Sequence, residues 1–227
     1  MRKVVTPIII IILYIKMEYN IITLGINCVP ALILKDLGLR KYSLPFDWNV
    51  TNNMQIINCI EDDFRKFHRT LTFILDKHWL MDEYGIQYPH DYPTNEDETI
   101  VENWQNYQEN VLEKYQRRIE RFKNILHDPT PIIALYMGIL SYAVVIKKYL
   151  EQKYNRTIIF VVATYEQKIK NRDGNIIICN VYNNEDARNK TFWIDSIREA
   201  ISIVKNKQNT STTNTNKIAN KLFMNFT

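Results

Sequence analysis

Three residue types in this 227-residue chain combine into a plausible covalent chemistry: a cysteine at a turn, a histidine in a rigid loop and a carboxylate among aromatic rings. Cys28 closes the stretch Ile21-Ile22-Thr23-Leu24-Gly25-Ile26-Asn27-Cys28, and Pro30 follows it. A short apolar run, a Gly-x-Asn-Cys turn and an amphipathic segment spell strand, tight turn and helix. A thiol attacks as its thiolate, and a helix N-terminus is one of the few metal-free places that favours that form. Cys28 is therefore the first candidate nucleophile. The blander reading is a small cysteine packed beneath the helix, which is what most free cysteines are. Cys59 falls on the apolar face of a predicted helix and Cys179 within an apolar strand run, so both read as core.

A thiol nucleophile needs a base, normally histidine, and a group that orients the base. Of the four histidines, His90 has the most rigid setting, between Pro89 and Asp91 in a loop that also holds Tyr88, Tyr92 and Pro93. It is the best base, with a backbone cap on a following helix as its ordinary alternative. His68 and His127 lie beside charged residues near predicted helix ends and read as solvated or capping. His78, between Lys77 and Trp79, is ambiguous. For the orienting acid, Asp47 in Pro45-Phe46-Asp47-Trp48 should be buried by its neighbours, and a buried carboxylate needs an imidazolium or arginine partner. Asp91 is its rival, and a turn-capping aspartate is the plainer reading of Asp47. Arg117, Arg118 and Arg121 could hold Asp47 or a substrate anion, although spacing alone suggests a solvated basic face. There is no glycine-rich phosphate loop, HExxH, GxSxG or metal-ligand spacing, so no metal or cofactor is expected.

The elements that must place these groups are legible in outline. Pro30 suits a first helical turn and Gly38 a C-cap, which puts Cys28 just before a short helix. Thr51 is positioned to cap a helix reaching about Phe67, with Met54, Ile57, Ile60 and Phe64 on one face. Residues 70–93 read as irregular or short extended pieces. Asn95 and Glu98 resemble a capping signal, and a long helical pattern runs from Val101 to Leu126 before Asp128-Pro129. The second half changes period. Runs at 131–137, 157–164 and 175–182 alternate with helical patterns at 141–154 and 192–205, with a turn at 171–174. Continuous apolar strands separated by helices predict an α/β fold, three-layered with a mostly parallel sheet flanked by helices.

Composition confines the rest. With 46% apolar and 24% charged residues, the chain has enough material for one ordinary domain. The formal charge of +4 sits in the ends: Arg2, Lys3 and Lys16 at one, and Lys205, Lys207, Lys217 and Lys221 at the other, with no acid in either. The body is mildly acidic, so no nucleic-acid partner is expected. Three widely spaced cysteines without a CxxC make neither a disulfide framework nor a zinc site, which favours a reducing, cytoplasmic compartment. Residues 1–16 form an apolar extension, read as a mis-assigned start ahead of Met17 or, alternatively, a signal or anchor. Its apolar core is well short of the ~20 residues a spanning helix needs, so a membrane partner depends on its being retained. A single domain is expected over 17–205, followed by a disordered Asn/Thr/Lys-rich tail at 206–227.

Five blocks together resemble a known family: Leu24-Gly-Ile-Asn-Cys28, Leu37-Gly-Leu-Arg40, Pro45-Phe-Asp-Trp48, His90-Asp-Tyr92, and Tyr115-Gln-Arg-Arg118 with Arg121-Phe122. They are similar to the proposed papain-like cysteine peptidases, uncharacterised proteins of bacteria and large DNA viruses, over about Tyr19 to Tyr182. The resemblance implies Cys28 as nucleophile and His90 as its histidine, in the cysteine-then-histidine order of papain-like enzymes. It also implies an alternative fold, a papain-like α+β domain with an antiparallel sheet. The resulting expectation is a thiol hydrolase acting on an amide or related acyl bond of a protein or peptide, with Cys28, His90 and either Asp47 or Asp91. The alternative is a non-catalytic α/β binding or host-interaction module.

Overall fold

The computed structural model describes residues 19–166 and 175–224. The apolar extension 1–16 and the predicted turn at 171–174 lie outside the described residues. Four parallel strands form the central sheet in the order β1, β5, β6, β7. They are β1 (Asn20–Gly25), β5 (Ile132–Met137), β6 (Ile158–Thr164) and β7 (Ile176–Asn180). β1 pairs with β5 in register from Asn20↔Ile132 to Gly25↔Met137. All six residues of β5 and all seven of β6 are buried, the expected state of central strands covered on both faces.

Alternate residues of each strand feed two cores. Ile133, Leu135, Ile159, Val161 and Ile177 pack under α1 (Val29–Asp36) and the last helix, which contributes Trp193, Ile197, Ala200 and Val204. Ile22, Leu24, Ala134, Tyr136, Phe160 and Val162 face the other way. There they meet α2 (Asn53–Glu61), α3 (Gln108–His127) and α4 (Leu140–Tyr154). The fold is therefore the three-layer α/β arrangement that the strand runs predict, and the antiparallel papain-like alternative does not describe this sheet. Between β1 and β5 the chain also builds a small antiparallel sheet, β2 (Thr72–Ile74), β3 (Trp79–Met81) and β4 (Gln87–Tyr88). Its third strand is bridged to the segment after Trp48 through Val50↔Gln87.

Several local expectations are corrected. Asn52, not Thr51, caps α2, in a reciprocal box with Gln55, and Thr51 instead donates its hydroxyl to the Gly25 carbonyl. α2 ends at Glu61, and Asp63 and Phe64 that follow have positive φ. Asn95 and Glu98 start no helix: Thr94 bridges Ile100, making a short hairpin, and α3 begins only after a 3-10 turn at Trp104–Tyr107. After the five-residue α5 (Asn184–Arg188), α6 runs Lys190–Met224. The backbone of 206–224 thus continues a helix where composition suggests a disordered tail. That stretch lacks Gly and Pro, and once the packed first turns supply the nucleus, Asn and Thr each cost only a fraction of a kcal/mol. No helix among the described residues is long and apolar enough to cross a membrane.

Candidate active site

The chain leaves the sheet at Gly25 and enters α1 four residues later, at Val29. Cys28 is the N-cap residue, with φ −75° and ψ −5°, and it is half-buried. The Asn27 side chain accepts the Val29 amide at 3.0 Å, and the Leu32 amide returns to the Cys28 carbonyl at 3.1 Å. Pro30 has no amide to give. The helix start therefore offers fewer free donors than a bare N-terminus, and the Cys28 amide, which has no partner among the described residues, is the donor next to the sulfur.

Gly25 fixes where this turn stands. A Cβ there would sit 3.0 Å from the Met137 nitrogen and 3.2 Å from its oxygen, both backbone atoms of the neighbouring strand. Gly25→Ala should therefore shift the β1–β5 ladder and the Cys28 turn together. Its expected cost is about 1–3 kcal/mol, with a changed rate of Cys28 alkylation, read from the denaturant midpoint and from mass spectrometry.

Cys28 opens onto a cleft of about 740 Å³. Asn27, Cys28 and, from the short helix packed on α1, Arg188 form one side. Trp48, Asn49 and Val50 also line the cleft, and the other side comes from the small sheet and its loops: His78, Trp79, Pro89, His90, Thr94 and Glu98. Two sequence-nominated residues, Cys28 and His90, thus share one cavity. His78, ambiguous in sequence, joins them. The His90 side chain is exposed and His78 is half-buried. Among the described residues the Cys28 sulfur makes no hydrogen bond to either imidazole.

The nominated acids are committed elsewhere. Asp47 is buried, accepting from the Thr23 hydroxyl, from the Leu44 amide at 2.9 Å and from Arg40 Nη2 at 2.9 Å. Arg40 in turn lies over the Trp48 ring, 4.8 Å from its centroid. Asp47 lines a separate hollow of about 290 Å³ with Thr23 and Arg40, not the Cys28 cleft. The arginine half of its predicted partnership is realised, by a residue seven positions upstream. Asp91 turns its carboxylate inward, paired with Lys114 and accepting from the Tyr115 hydroxyl at 2.6 Å. Adjacent in sequence to His90, it faces away from the cleft.

The remaining thiols and histidines sort by burial. Cys59 is fully buried and its thiol is pushed far up by desolvation; Cys179, desolvated likewise, is pushed up to about 12 and donates to the Phe192 carbonyl at 2.8 Å. Both are inert core groups. His68, expected to be solvated or capping, is wholly buried, with Nε2 2.8 Å from the Tyr92 hydroxyl and its ring stacked on Tyr92. His127 remains exposed at the end of α3, against the Tyr154 ring. Arg118 is buried over the Tyr115 ring, Arg117 pairs with Glu113, and neither lines the cleft.

Comparison with known proteins bears on this geometry. Residues 19–180 match the family model described as "Putative papain-like cysteine peptidase". The chain belongs to that family. It is also similar to "Uncharacterized protein R408" of Acanthamoeba polyphaga mimivirus, 28% identical over 207 residues, covering 81% of this chain and 86% of the relative. No solved structure gives a significant match. The family match begins at Tyr19, just before β1, and ends at Asn180, the last residue of β7, so it takes in the whole parallel sheet. It spans both sides of the cleft except Arg188.

Proposed function

We propose that the protein is a thiol-dependent hydrolase of amide bonds in peptides or proteins, with Cys28 as nucleophile. The observation that carries this reading is the position of Cys28: a half-exposed cysteine at a strand-to-helix turn, in a cleft whose other side bears two histidines. One of those two imidazoles takes the thiol proton. The sulfur attacks the carbonyl carbon, and the Cys28 amide stands next to the oxygen that becomes negative. The imidazolium then protonates the leaving amine as the C–N bond breaks. Water, deprotonated by the same imidazole, hydrolyses the thioester and restores the thiol. A cleft of about 740 Å³ is in the range of small-ligand sites and suits a short extended segment of substrate.

The open sulfur-to-imidazole contact favours a second reading, a binding module that holds a ligand between Trp48 and Trp79. The two separate on reaction with a peptide-based acyloxymethyl ketone, a probe that needs an activated thiolate. Wild type should be labelled on Cys28 and Cys28→Ala should not, with unchanged thermal unfolding. Labelling of Cys59 or Cys179 at the rate of Cys28 would sink the hydrolase reading. Alkylation of Cys28 by iodoacetamide without reaction with the ketone would favour the binding module.

A further inference from the structure

We propose that His78, oriented by the acids of the 94–100 hairpin, is the imidazole that exchanges the proton with Cys28. This rests on the thiol-hydrolase reading and names its base. Four observations converge on it. His78 and His90 both line the Cys28 cleft and neither ring makes a hydrogen bond among the described residues, but His78 is half-buried whereas the His90 side chain is exposed. Both acids nominated to orient His90 are spent, Asp47 on Arg40 and Asp91 on Lys114 and Tyr115. A base without an orienting partner samples many rotamers and few productive ones.

The backbone that carries His78 is tied down. Its amide returns to the Leu75 carbonyl at 3.0 Å, and the Lys77 carbonyl accepts the Ile100 amide at 2.9 Å, which ties the turn to the hairpin. The hairpin tip carries two carboxylates, Asp97 and Glu98. Glu98 lines the cavity itself. Asp97 is held in place by the Thr99 amide and hydroxyl, and its carboxyl is lowered chiefly by those bonds, with a contribution from His78. Finally, the turn that presents His78 is unusual. Leu75, Asp76 and Lys77 are three consecutive non-glycine residues at φ +50°, +50° and +72°. Left-handed backbone at such residues is unfavourable and persists where the surrounding structure enforces it, commonly at functional sites.

In the resulting step the S–H proton moves to a ring nitrogen of His78 as the C–S bond forms. The same proton leaves with the amine when the C–N bond breaks. The charged or titratable groups near His78 are Asp76 and Lys77 on its own turn, Asp97 and Glu98 on the hairpin, and His90, Cys28 and Arg188 in the lining of the same cleft.

The test is the rate of Cys28 alkylation by iodoacetamide across pH 5–9, read by mass spectrometry on the full chain. His78→Ala should slow the reaction at neutral pH by about tenfold or more, flatten its pH profile, and regain part of the rate with added imidazole. His78→Gln, which keeps size and polarity, should show the same loss. Asp97→Asn with Glu98→Gln should give a smaller loss, and His90→Ala less than about threefold. A His78→Ala rate equal to wild type, a loss of equal size in His90→Ala, or no rescue by imidazole would overturn the assignment while leaving Cys28 as nucleophile. If wild-type Cys28 alkylates no faster than an unstructured thiol, the hydrolase reading itself fails.

Discussion

Asp47→Ala is expected to destabilise the protein by about 3–5 kcal/mol, the cost of breaking a buried ion pair from one side. Three donors converge on this buried carboxylate: the Thr23 hydroxyl from β1, the Leu44 amide from its own loop, and Arg40 Nη2. Alanine leaves the Thr23 hydroxyl and the Leu44 amide without this acceptor, and leaves the guanidinium over Trp48, still bonded to the Ser43 hydroxyl at 2.6 Å, without its counter-charge. Arg40→Ala should cost a similar amount by stranding the carboxylate. Asp47→Asn, which keeps the shape and one acceptor, should lose less. Replacing Thr23, Arg40 and Asp47 together with Val, Met and Leu should be milder than either single alanine change, since of the three donors only the Leu44 amide is then left without its acceptor. Denaturant midpoints with an unchanged slope would confirm the order. Equal stability of Asp47→Ala and wild type would show that the knot does not hold the loop. Because Trp48, Asn49 and Val50 follow Asp47 directly and line the cleft, the same variants should also alter Cys28 labelling.

His68 should make stability fall steeply in mild acid. It is wholly buried among Tyr88, Tyr92 and Tyr115, and desolvation lowers its pKa to about 4 from an ordinary 6.5. The unfolded chain takes up a proton on this ring below about pH 6.5. The folded protein refuses it until about pH 4. Stability is therefore full above pH 6.5 and declines toward pH 4, by about 3 kcal/mol in all. Asp82, whose carboxyl is raised by burial, acts in the opposite sense and blunts the observed curve. The difference between wild type and His68→Phe isolates the histidine. That difference should grow as pH rises from 4 to 6.5 and level off above, measured by urea unfolding at each pH. A flat difference would mean that the ring takes up its proton as readily in the folded chain as in the unfolded one.

The sheet was legible because its strands are buried on both faces and so read as unbroken apolar runs, such as Ile132–Met137. The Cys28 turn was legible for the same local reason, with glycine, asparagine and proline in order. Partnerships across the fold were not. The burial of Asp47 follows from its aromatic neighbours, but the choice of Arg40 and Thr23 as its partners depends on how loop 38–48 folds back on β1, which no periodicity reports. His68 reads as solvated beside Arg69, yet the tyrosines that enclose it come from two distant segments, 88–92 and α3. The setting of His78 was hidden most completely. Left-handed turns are signalled by glycine, asparagine or aspartate, and of Leu75, Asp76 and Lys77 only Asp76 carries that signal.

The pairing of β1 with β5 also sets a schedule. Residues 20–25 lie more than a hundred positions ahead of their partners at 132–137. Contacts so distant in sequence form late, after a large loop has been closed. A ribosome therefore completes Cys28 early but cannot seat it until β5 has emerged, well after the histidines have been made. A half-made chain carries a thiol without a cleft. On this topology the Cys28 cleft comes into being only with the near-complete domain.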